Sequence, residues 1–183
     1  MACFLRTIRK NRWLVSRPDW LPEGDIPADP LSDLSAAENA LSVWYVSDSS
    51  ENLERVVAAL ASTRDKIDKL DYVLIEQETI HRLGIIALQS EGKSPDDHAN
   101  RNWHYDFKQL SGGLLVRFVK EMLPRVESRG RILDKRVEQL IREGIASTQI
   151  DEKKLNPRLK QKLGLSGNRL QKLLGCFKEL FRS

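Results

Sequence analysis

The first half of the chain arranges its apolar and polar residues in a strand–helix–strand pattern. Residues 41–46, LSVWYV, have the composition of a half-buried strand, and residues 70–77, LDYVLIEQ, have the same character. Between them, residues 47–67 predict a helix that Ser49 or Ser50 can cap. The apolar stripe of this helix consists of Leu53, Val56, Val57, Leu60 and Ala61. This order is that of a βαβ unit, whose strands run parallel if they share a sheet.

The segments before this unit predict a first strand followed by a loop. Residues 3–15, CFLRTIRKNRWLV, predict the strand. Residues 16–40 then contain four of the seven prolines among Asp, Glu and Gly. Because proline removes a hydrogen-bond donor and restricts the residue before it, we expect a long surface loop here, with neither helix nor strand. The apolar residues that pin this loop are predicted to be Trp20, Leu21, Ile26 and Leu31.

The second half of the chain has the periodicity of helices. Residues 78–93 fit either a short helix with a strand or one continuous helix. Residues 114–126 and 131–144 each carry a helical apolar face, and Gly144 is a predicted helix stop. The predicted fold class is therefore α+β, with two domains. A small βαβ-like α/β domain spans residues 1–110, with the Pro/Asp-rich surface loop at 16–40, and an all-helical basic domain with a helix-turn-helix-like hairpin spans residues 111–183.

Charge is distributed unevenly between these two parts. The net charge is +4, but residues 1–110 hold 13 Lys and Arg against 18 Asp and Glu, a net −5, whereas residues 111–183 hold 17 against 8, a net +9. A basic second part points to an anionic partner there. Only Cys3 and Cys176 are present, and no apolar run approaches the roughly 20 residues of a membrane span. We expect a soluble cytoplasmic protein.

The most specific motif lies in residues 155–180, LNPRLKQKLGLSGNRLQKLLGCFKEL. Five leucines flank Gly164 at offsets of −5, −1, +1, +6 and +9; they are Leu159, Leu163, Leu165, Leu170 and Leu173. This spacing resembles the helix-turn-helix pattern of bacterial DNA-binding domains, from which it departs at Lys160, where a small residue is usual. The resemblance implies a second helix that faces nucleic acid with Asn168, Arg169, Gln171 and Lys172, and phosphate contacts from Arg158, Lys160 and Lys162.

The same leucines also fit an αα-hairpin that simply closes the helical domain. Apolar residues continue to the end of the chain, where an unanchored helix would expose them. We therefore predict that a protein partner or a second copy of the chain binds at Phe177, Leu180 and Phe181, together with Trp20 of the loop.

The stretch from Asp96 to Gly113, DDHANRNWHYDFKQLSGG, concentrates groups capable of acid–base chemistry. A metal site would need His98, His104 and Asp106 to converge, with Asp96 or Asp97, but a separation of six places the two histidines on different faces of a helix. No metal or cofactor is predicted. His104 and Asp106 would share a face of a strand and could act as a catalytic pair, with Arg101 or Lys108 holding a phosphate.

No nucleophile is evident for such a pair, since no G-x-S-x-G motif is present. The alternative for this stretch is a connector helix capped by Ser94, with Pro95 in its first position and Trp103 and Phe107 packed inward. Trp103 and Tyr105 could also stack on an exposed base.

Three functions fit these patterns. The first hypothesis is a non-enzymatic nucleic-acid-associated accessory or regulatory module of a bacterial-type multi-component system, such as a mobile-element or phage-defence system, that binds DNA or RNA. The second is a protein–protein interaction subunit without nucleic-acid contact. The third is a metal-dependent or His/Asp nuclease-like hydrolase that uses residues 96–106, with His104 and Asp106 at its centre.

Overall fold

The computed structural model describes residues 2–13, 19–34, 36–47 and 51–165, and this part of the chain is built on one six-stranded antiparallel sheet. The strands in chain order are β1 (Cys3–Ile8), β2 (Leu41–Val46), β3 (Leu70–Glu76), β4 (Ile86–Gln89), β5 (His104–Lys108) and β6 (Gly130–Ile132). Their order across the sheet is β4-β5-β2-β1-β3-β6, and every neighbouring pair is antiparallel. Strands β4 and β6 are therefore the two edges.

Helices alternate with these strands along the chain. They are α1 (Ala28–Leu34), α2 (Leu53–Ser62), α3 (Gln77–Leu83), α4 (Asp97–Asn102), α5 (Gly112–Glu127), α6 (Asp134–Ala146) and α7 (Pro157–Lys162). Two 3-10 turns, Lys10–Arg12 and Glu152–Lys154, complete the regular structure of the described residues. In this same part of the chain, no helix is both long and apolar enough to cross a membrane.

The helices cover both faces of the sheet and create two hydrophobic cores. Successive side chains of a strand point to opposite faces, so Leu5 enters the core beneath α2, α6 and α7, while Phe4 enters the core beneath α1, α3 and α5. Strand β3 is an internal strand between β1 and β6, and its first four residues are all buried. Burial on both faces explains why residues 70–75 contain so few polar side chains.

The predicted layout of an α/β domain followed by an all-helical domain is wrong. Strand β6 lies beyond residue 111 and pairs with β3, through Leu70 opposite Ile132 and Tyr72 opposite Gly130. A strand of three residues is too short to leave a periodic pattern in the sequence. Strands β2 and β3 do run in the same direction, but β1 lies between them and pairs antiparallel with both. The division of the chain near Ser111, which is the N-cap of α5, stays a prediction.

Several local predictions are confirmed. Strands β2 and β3 match residues 41–46 and 70–77, and helix α2 carries the predicted apolar stripe. Residues 78–93 form a short helix and a strand, α3 and β4, rather than one helix. Ser49 and Ser50 lie outside the described residues. Asn52 is the N-cap of α2, but its amide bridges to Ser47 and Tyr45 instead of capping the helix.

Other local predictions are wrong. The Pro-rich segment does contain a helix, α1, because Pro30 is its third residue, where the backbone N–H would have no helical partner in any case. The first strand ends at Ile8 rather than at residue 15. Gly144 does not end α6, which continues to Ala146; the glycine instead gives Ile150 room to pack against the helix.

Candidate functional site

The polar stretch before β5 is held by its own hydrogen bonds. Asp96 caps α4 by accepting from the backbone N of Ala99 at 2.9 Å, so the cap is Asp96 and not Ser94. The Asn100 side chain accepts from the Ser94 hydroxyl at 2.7 Å and donates to the Ser94 carbonyl at 2.7 Å. Trp103 lies half-buried under Arg55, while Phe107 belongs to β5 rather than to a helix. The polar side chains of this stretch therefore stabilise the connection that leads into β5.

His98 and His104 do not converge. His98 is exposed on α4 and packs edge-on against Trp103, whereas His104 is buried at the start of β5. Asp97 pairs with Lys154 at 2.6 Å, and Asp96 is engaged by Arg55. Within the described ranges, no group of three or more His, Cys, Asp or Glu side chains is arranged to hold a metal ion.

His104 and Asp106 share one face of β5, as predicted. The His104 ring contacts two hydroxyls, Ser42 Oγ at 2.6 Å from Nε2 and Ser90 Oγ at 2.8 Å from Nδ1. Burial lowers the pKa of His104, although the charge of Asp106 opposes this shift. Burial disfavours the Asp106 carboxylate, but hydrogen bonds from Lys108 and Ser90 hold its pKa below the usual range.

A large cleft opens at the end of the sheet where β1 ends and β3 begins. It has a volume of about 1200 Å³ and is formed by residues 6–11, the loop between α2 and β3, and single residues of α1, β3, β6 and the segment before α7. Its basic residues are Arg6, Arg9, Lys10, Arg64, Lys66, Lys69 and Arg131, and its acidic residues are Asp33, Asp65, Asp68 and Asp71. Positive charge therefore predominates in the cleft.

Each acid of the cleft already has a cationic partner. Asp33 accepts from the backbone N of Arg9 and from the Trp13 indole, which fixes the turn after β1. The ion pairs of the four acids are Asp33 with Arg9, Asp65 with Arg158, Asp68 with Lys66, and Asp71 with both Arg129 and Arg131. Among the described residues, no ion pair engages Arg6, Lys10, Arg64 or Lys69. These four cations supply the uncompensated charge.

Two of these cations are partly removed from water. Burial lowers the pKa of Arg6, whose Nη1 and Nη2 donate to the carbonyls of Ser42 and Leu34 and whose Nε is buried with no hydrogen-bond partner in the described part of the chain. Burial also lowers the pKa of Arg64, and the nearby charge of Arg9 lowers it further, although Asp68 opposes this. Asp33 and Asp68 lie close enough to act on the charges of Arg6 and Arg64, but neither guanidinium has a carboxylate within ion-pair distance in the described part of the chain, and this arrangement favours an incoming anion.

The cleft continues toward helix α7. A neighbouring cavity of about 630 Å³ shares Asp65 and Lys66 with it and adds Arg158 and Lys162. Together the two cavities present nine Lys and Arg against four Asp. Sequence reasoning named Arg158 and Lys162 for phosphate contact, and both line this surface. Lys160 instead donates to the carbonyl of Lys153 at 3.2 Å.

Helix α7 ends as the helix-turn-helix resemblance implies for the first helix. Gly164 has a φ of 70°, and the backbone N–H groups of Gly164 and Leu165 donate to the carbonyls of Gln161 and Lys160. Leu159 and Leu163 are buried in the core beneath α2 and α6. The second helix and its predicted contacts lie outside the described residues; these are Asn168, Arg169, Gln171 and Lys172. So do the partner-binding candidates Phe177, Leu180 and Phe181.

Much of the positive charge after residue 110 is neutralised by acids of the first part. Five such residues in addition to Arg158 pair this way: Arg125 with Glu76, Arg129 and Arg131 with Asp71, Arg136 with Glu54, and Lys154 with Asp97. Much of the positive charge after residue 110 is therefore used in ion pairs within the protein. Cations that remain without ion pairs in the described ranges are the better guide to a partner.

Trp20, the candidate for partner binding in the loop, is 71% exposed. It is one of four large apolar residues that the described part of the chain leaves exposed, with Ile86, Leu88 and Leu133. An exposed indole is compatible with a protein contact, which stays a prediction.

The sequence patterns did not predict most of the cleft, or that Ser42 and Ser90 contact His104. The basic clusters are visible, as R-x-x-R-K at residues 6–10 and R-D-K-I-D-K at residues 64–69. They meet because β1 and β3 are antiparallel neighbours, which brings the end of one strand beside the start of the other. Ser42 is 62 residues from His104 along the chain, and only the pairing of β2 with β5 joins them.

Comparison of the chain with models of known protein families, with curated proteins and with solved structures finds no match. The candidate sites therefore rest on their own geometry and chemistry.

Proposed function

We propose that the protein is a cytoplasmic nucleic-acid-associated module, an accessory or regulatory part of a larger bacterial-type assembly, and that it binds the phosphate backbone in the basic cleft. The observation that carries this proposal is the group of cations at one end of the sheet that form no ion pair with any described residue. Arg6, Lys10, Arg64 and Lys69 lie along a single concavity, and Lys162 extends the row on α7. The sequence predicts phosphate contacts from the C-terminal helices alone. The contact surface proposed here is instead a cleft formed by residues from both halves of the chain.

The chemistry of the cleft favours phosphate over bases. None of the described residues that line the cleft is aromatic, so they offer no platform for the stacking that contributes about 1–3 kcal/mol per base in single-strand binding. Lys and Arg contact phosphate oxygens without regard to sequence. A duplex presents two rows of phosphates at fixed spacing, and we therefore expect duplex DNA or RNA to bind better than a single strand.

Binding of this kind depends strongly on salt. Each phosphate that a cation neutralises releases condensed counterions, and the logarithm of the binding constant falls by about 0.9 per contact for each unit of log salt concentration. Four or five contacts would weaken binding roughly 150- to 500-fold between about 0.05 M and 0.2 M salt.

The test is fluorescence anisotropy with labelled 20-base-pair DNA and RNA duplexes and the matching single strands, at both salt concentrations. Duplex binding at low salt that weakens steeply at high salt is the expected result. Tighter binding of the single strands would remove the preference for duplex while leaving the cleft as the site. No binding of any nucleic acid at low salt would overturn the proposal and favour a protein–protein interaction subunit, for which the exposed Trp20 is the natural anchor.

A further inference from the structure

A second group of polar side chains lies outside the lining of the cleft, on one face of β2, β4 and β5. Residues directly opposite each other in an antiparallel pair point to the same face. Ser42 lies opposite Asp106, Leu88 lies opposite Asp106 on its other side, and Ile86 lies opposite Lys108. His104 belongs to this face because it alternates with Asp106. Ser42 is exposed, and the contact of its hydroxyl with His104 is partly buried.

The hydrogen-bond partners of Ser90 favour one tautomer of His104. The Ser90 hydroxyl has a single proton, and we assign it to the Asp106 carboxylate, because Ser90 contributes to the lowered pKa of Asp106 and a carboxylate is a stronger acceptor than an imidazole nitrogen. Ser90 Oγ must then accept from Nδ1–H of His104, at 2.8 Å. The lone pair of Nε2 is left facing the Ser42 hydroxyl, which lies 2.6 Å away. This is the arrangement in which an imidazole removes a proton from a serine.

We infer that Ser42 is the nucleophile of a hydrolytic site for esters with an apolar acyl group, with His104 as its general base and Ser90 and Asp106 as positioning residues. This activity goes beyond nucleic-acid binding and does not depend on it. The apolar specificity comes from two neighbours on the same face. Leu88 and Ile86 are 51% and 42% exposed on β4, across β5 from Ser42, so an acyl chain bound to Ser42 can extend over β5 onto their apolar surface.

The reaction balances with water as the only co-reactant. Ser42 Oγ forms a bond to the acyl carbon while its proton passes to His104 Nε2, and the carbonyl electron pair moves onto oxygen. When the carbonyl re-forms, the bond to the leaving alkoxide breaks, and the alkoxide takes the proton from His104. Water then attacks the acyl-serine in the same way, which releases the carboxylic acid and restores Ser42. Lys108, whose Nζ lies 3.1 Å from Asp106 Oδ2, supplies positive charge on this face for the tetrahedral oxyanion.

The test uses the full chain, a fluorophosphonate probe and p-nitrophenyl butyrate. The probe loses fluoride as Ser42 Oγ bonds to phosphorus, and mass spectrometry locates the adduct. We expect modification at Ser42 together with ester hydrolysis, and loss of both in Ser42→Ala. The matched control Ser128→Ala removes an exposed serine hydroxyl that has no histidine partner and should change neither.

Two further variants separate catalysis from structure. His104→Gln should lower the labelling rate at least about 100-fold. Because this residue is buried, its thermal unfolding must be measured beside that of the wild type. Asp106→Asn keeps the size of the side chain but can donate to Ser90, which then donates to Nδ1 and leaves Nε2 protonated; labelling should fall while the fold remains.

The pH dependence of the labelling rate distinguishes a general base at His104 from a residue with a purely structural role. The charged groups that act on His104 are Asp106 and Lys108. The labelling rate should rise with pH and level off, with its midpoint below 6.5, the ordinary pKa of histidine. The proposal is overturned if Ser42 is labelled no faster than Ser128, if folded Asp106→Asn labels at the wild-type rate, or if hydrolysis survives in Ser42→Ala.

Discussion

Arg55 and Asp96 form an ion pair with two hydrogen bonds, from Nε to Oδ2 at 2.6 Å and from Nη2 to Oδ1 at 3.0 Å. The Asp96 side chain is only 1% exposed, and Oδ1 also accepts from the backbone N of Ala99 at the start of α4. The guanidinium of Arg55 lies over the Trp103 ring, 5.4 Å from its centre. One carboxylate thus ties the segment that leads into β5 to helix α2.

Removal of Arg55 should destabilise the protein strongly. Arg55→Ala leaves the Asp96 carboxylate buried without a counter-charge, and loss of one partner from such a pair typically costs about 3–5 kcal/mol. Urea denaturation measures the change. In the double variant with Asp96→Asn, the buried charge is gone while an oxygen remains to cap α4, so we expect part of the stability to return. Additive losses in the double variant would contradict a direct coupling between these two residues.

Asp71 should support stability down to acidic pH. It is 7% exposed and bonds Arg129 and Arg131, which links β3 to β6 and to the end of α5. Burial disfavours its carboxylate, but the hydrogen bonds and charges of Arg131 and Arg129 outweigh burial and lower its pKa from the ordinary 3.8. Its contribution is therefore complete above pH 3.8 and is lost as the pH falls through the lower folded pKa.

The variant Asp71→Asn tests this directly. At pH 7 we expect a loss of about 2 kcal/mol, toward the middle of the range for charged hydrogen bonds because both arginines are partly exposed. The difference in unfolding free energy between wild type and variant should shrink below pH 3.8. A difference that stays constant from pH 7 to pH 2 would show that the charge of Asp71 is not what stabilises this region.

His104 should make stability fall as the pH drops below neutrality. Burial holds its folded pKa below the ordinary 6.5, so the unfolded chain takes up a proton first. The contribution of neutral His104 is present above pH 6.5 and is lost as the pH falls from 6.5 through the folded pKa. Urea denaturation at pH 7.5 and pH 5 should show a smaller decrease in His104→Gln than in the wild type. Parallel curves for the two proteins would rule this out.

A side chain at Gly130 should destabilise the protein. It pairs with Tyr72 in the β3–β6 register, and a Cβ at this position would overlap the Tyr72 ring. Overpacking of this kind costs about 1–3 kcal/mol, so Gly130→Ala should lower the thermal midpoint. The matched control is Gly113→Ala at the start of α5, where no atom lies within 4 Å of the added Cβ. An equal loss in both variants would mean that the Tyr72 contact is not the cause.

The fold was predictable where a segment carries its own pattern. Helix α2 has a clear apolar stripe, and the apolar residues of β3 suffice to identify a strand. Strand β6 has three residues, and its partner is 60 residues away, so no local pattern reveals it. The basic cleft could not be predicted from the sequence for the same reason. Arg6 and Arg64 lie far apart along the chain, and the antiparallel pairing of β1 with β3 alone brings them to one cleft.

The central claim is that cations of the cleft bind nucleic acid, and its most direct test compares two triple variants. The first, Lys10→Ala with Lys69→Ala and Lys162→Ala, removes three lysines of the cleft and its extension. The matched control, Arg117→Ala with Lys120→Ala and Lys135→Ala, removes three exposed cations outside it, so both proteins carry the same net charge.

The slope of log Kd against log salt concentration should be measured for duplex binding by the wild type and both variants. We expect the cleft variant to bind more weakly and its slope to fall by about 2–3, roughly one for each phosphate that a lysine no longer neutralises, while the control keeps the wild-type slope. Equal reductions of affinity and slope in the two variants would mean that overall charge, and not the cleft, determines binding.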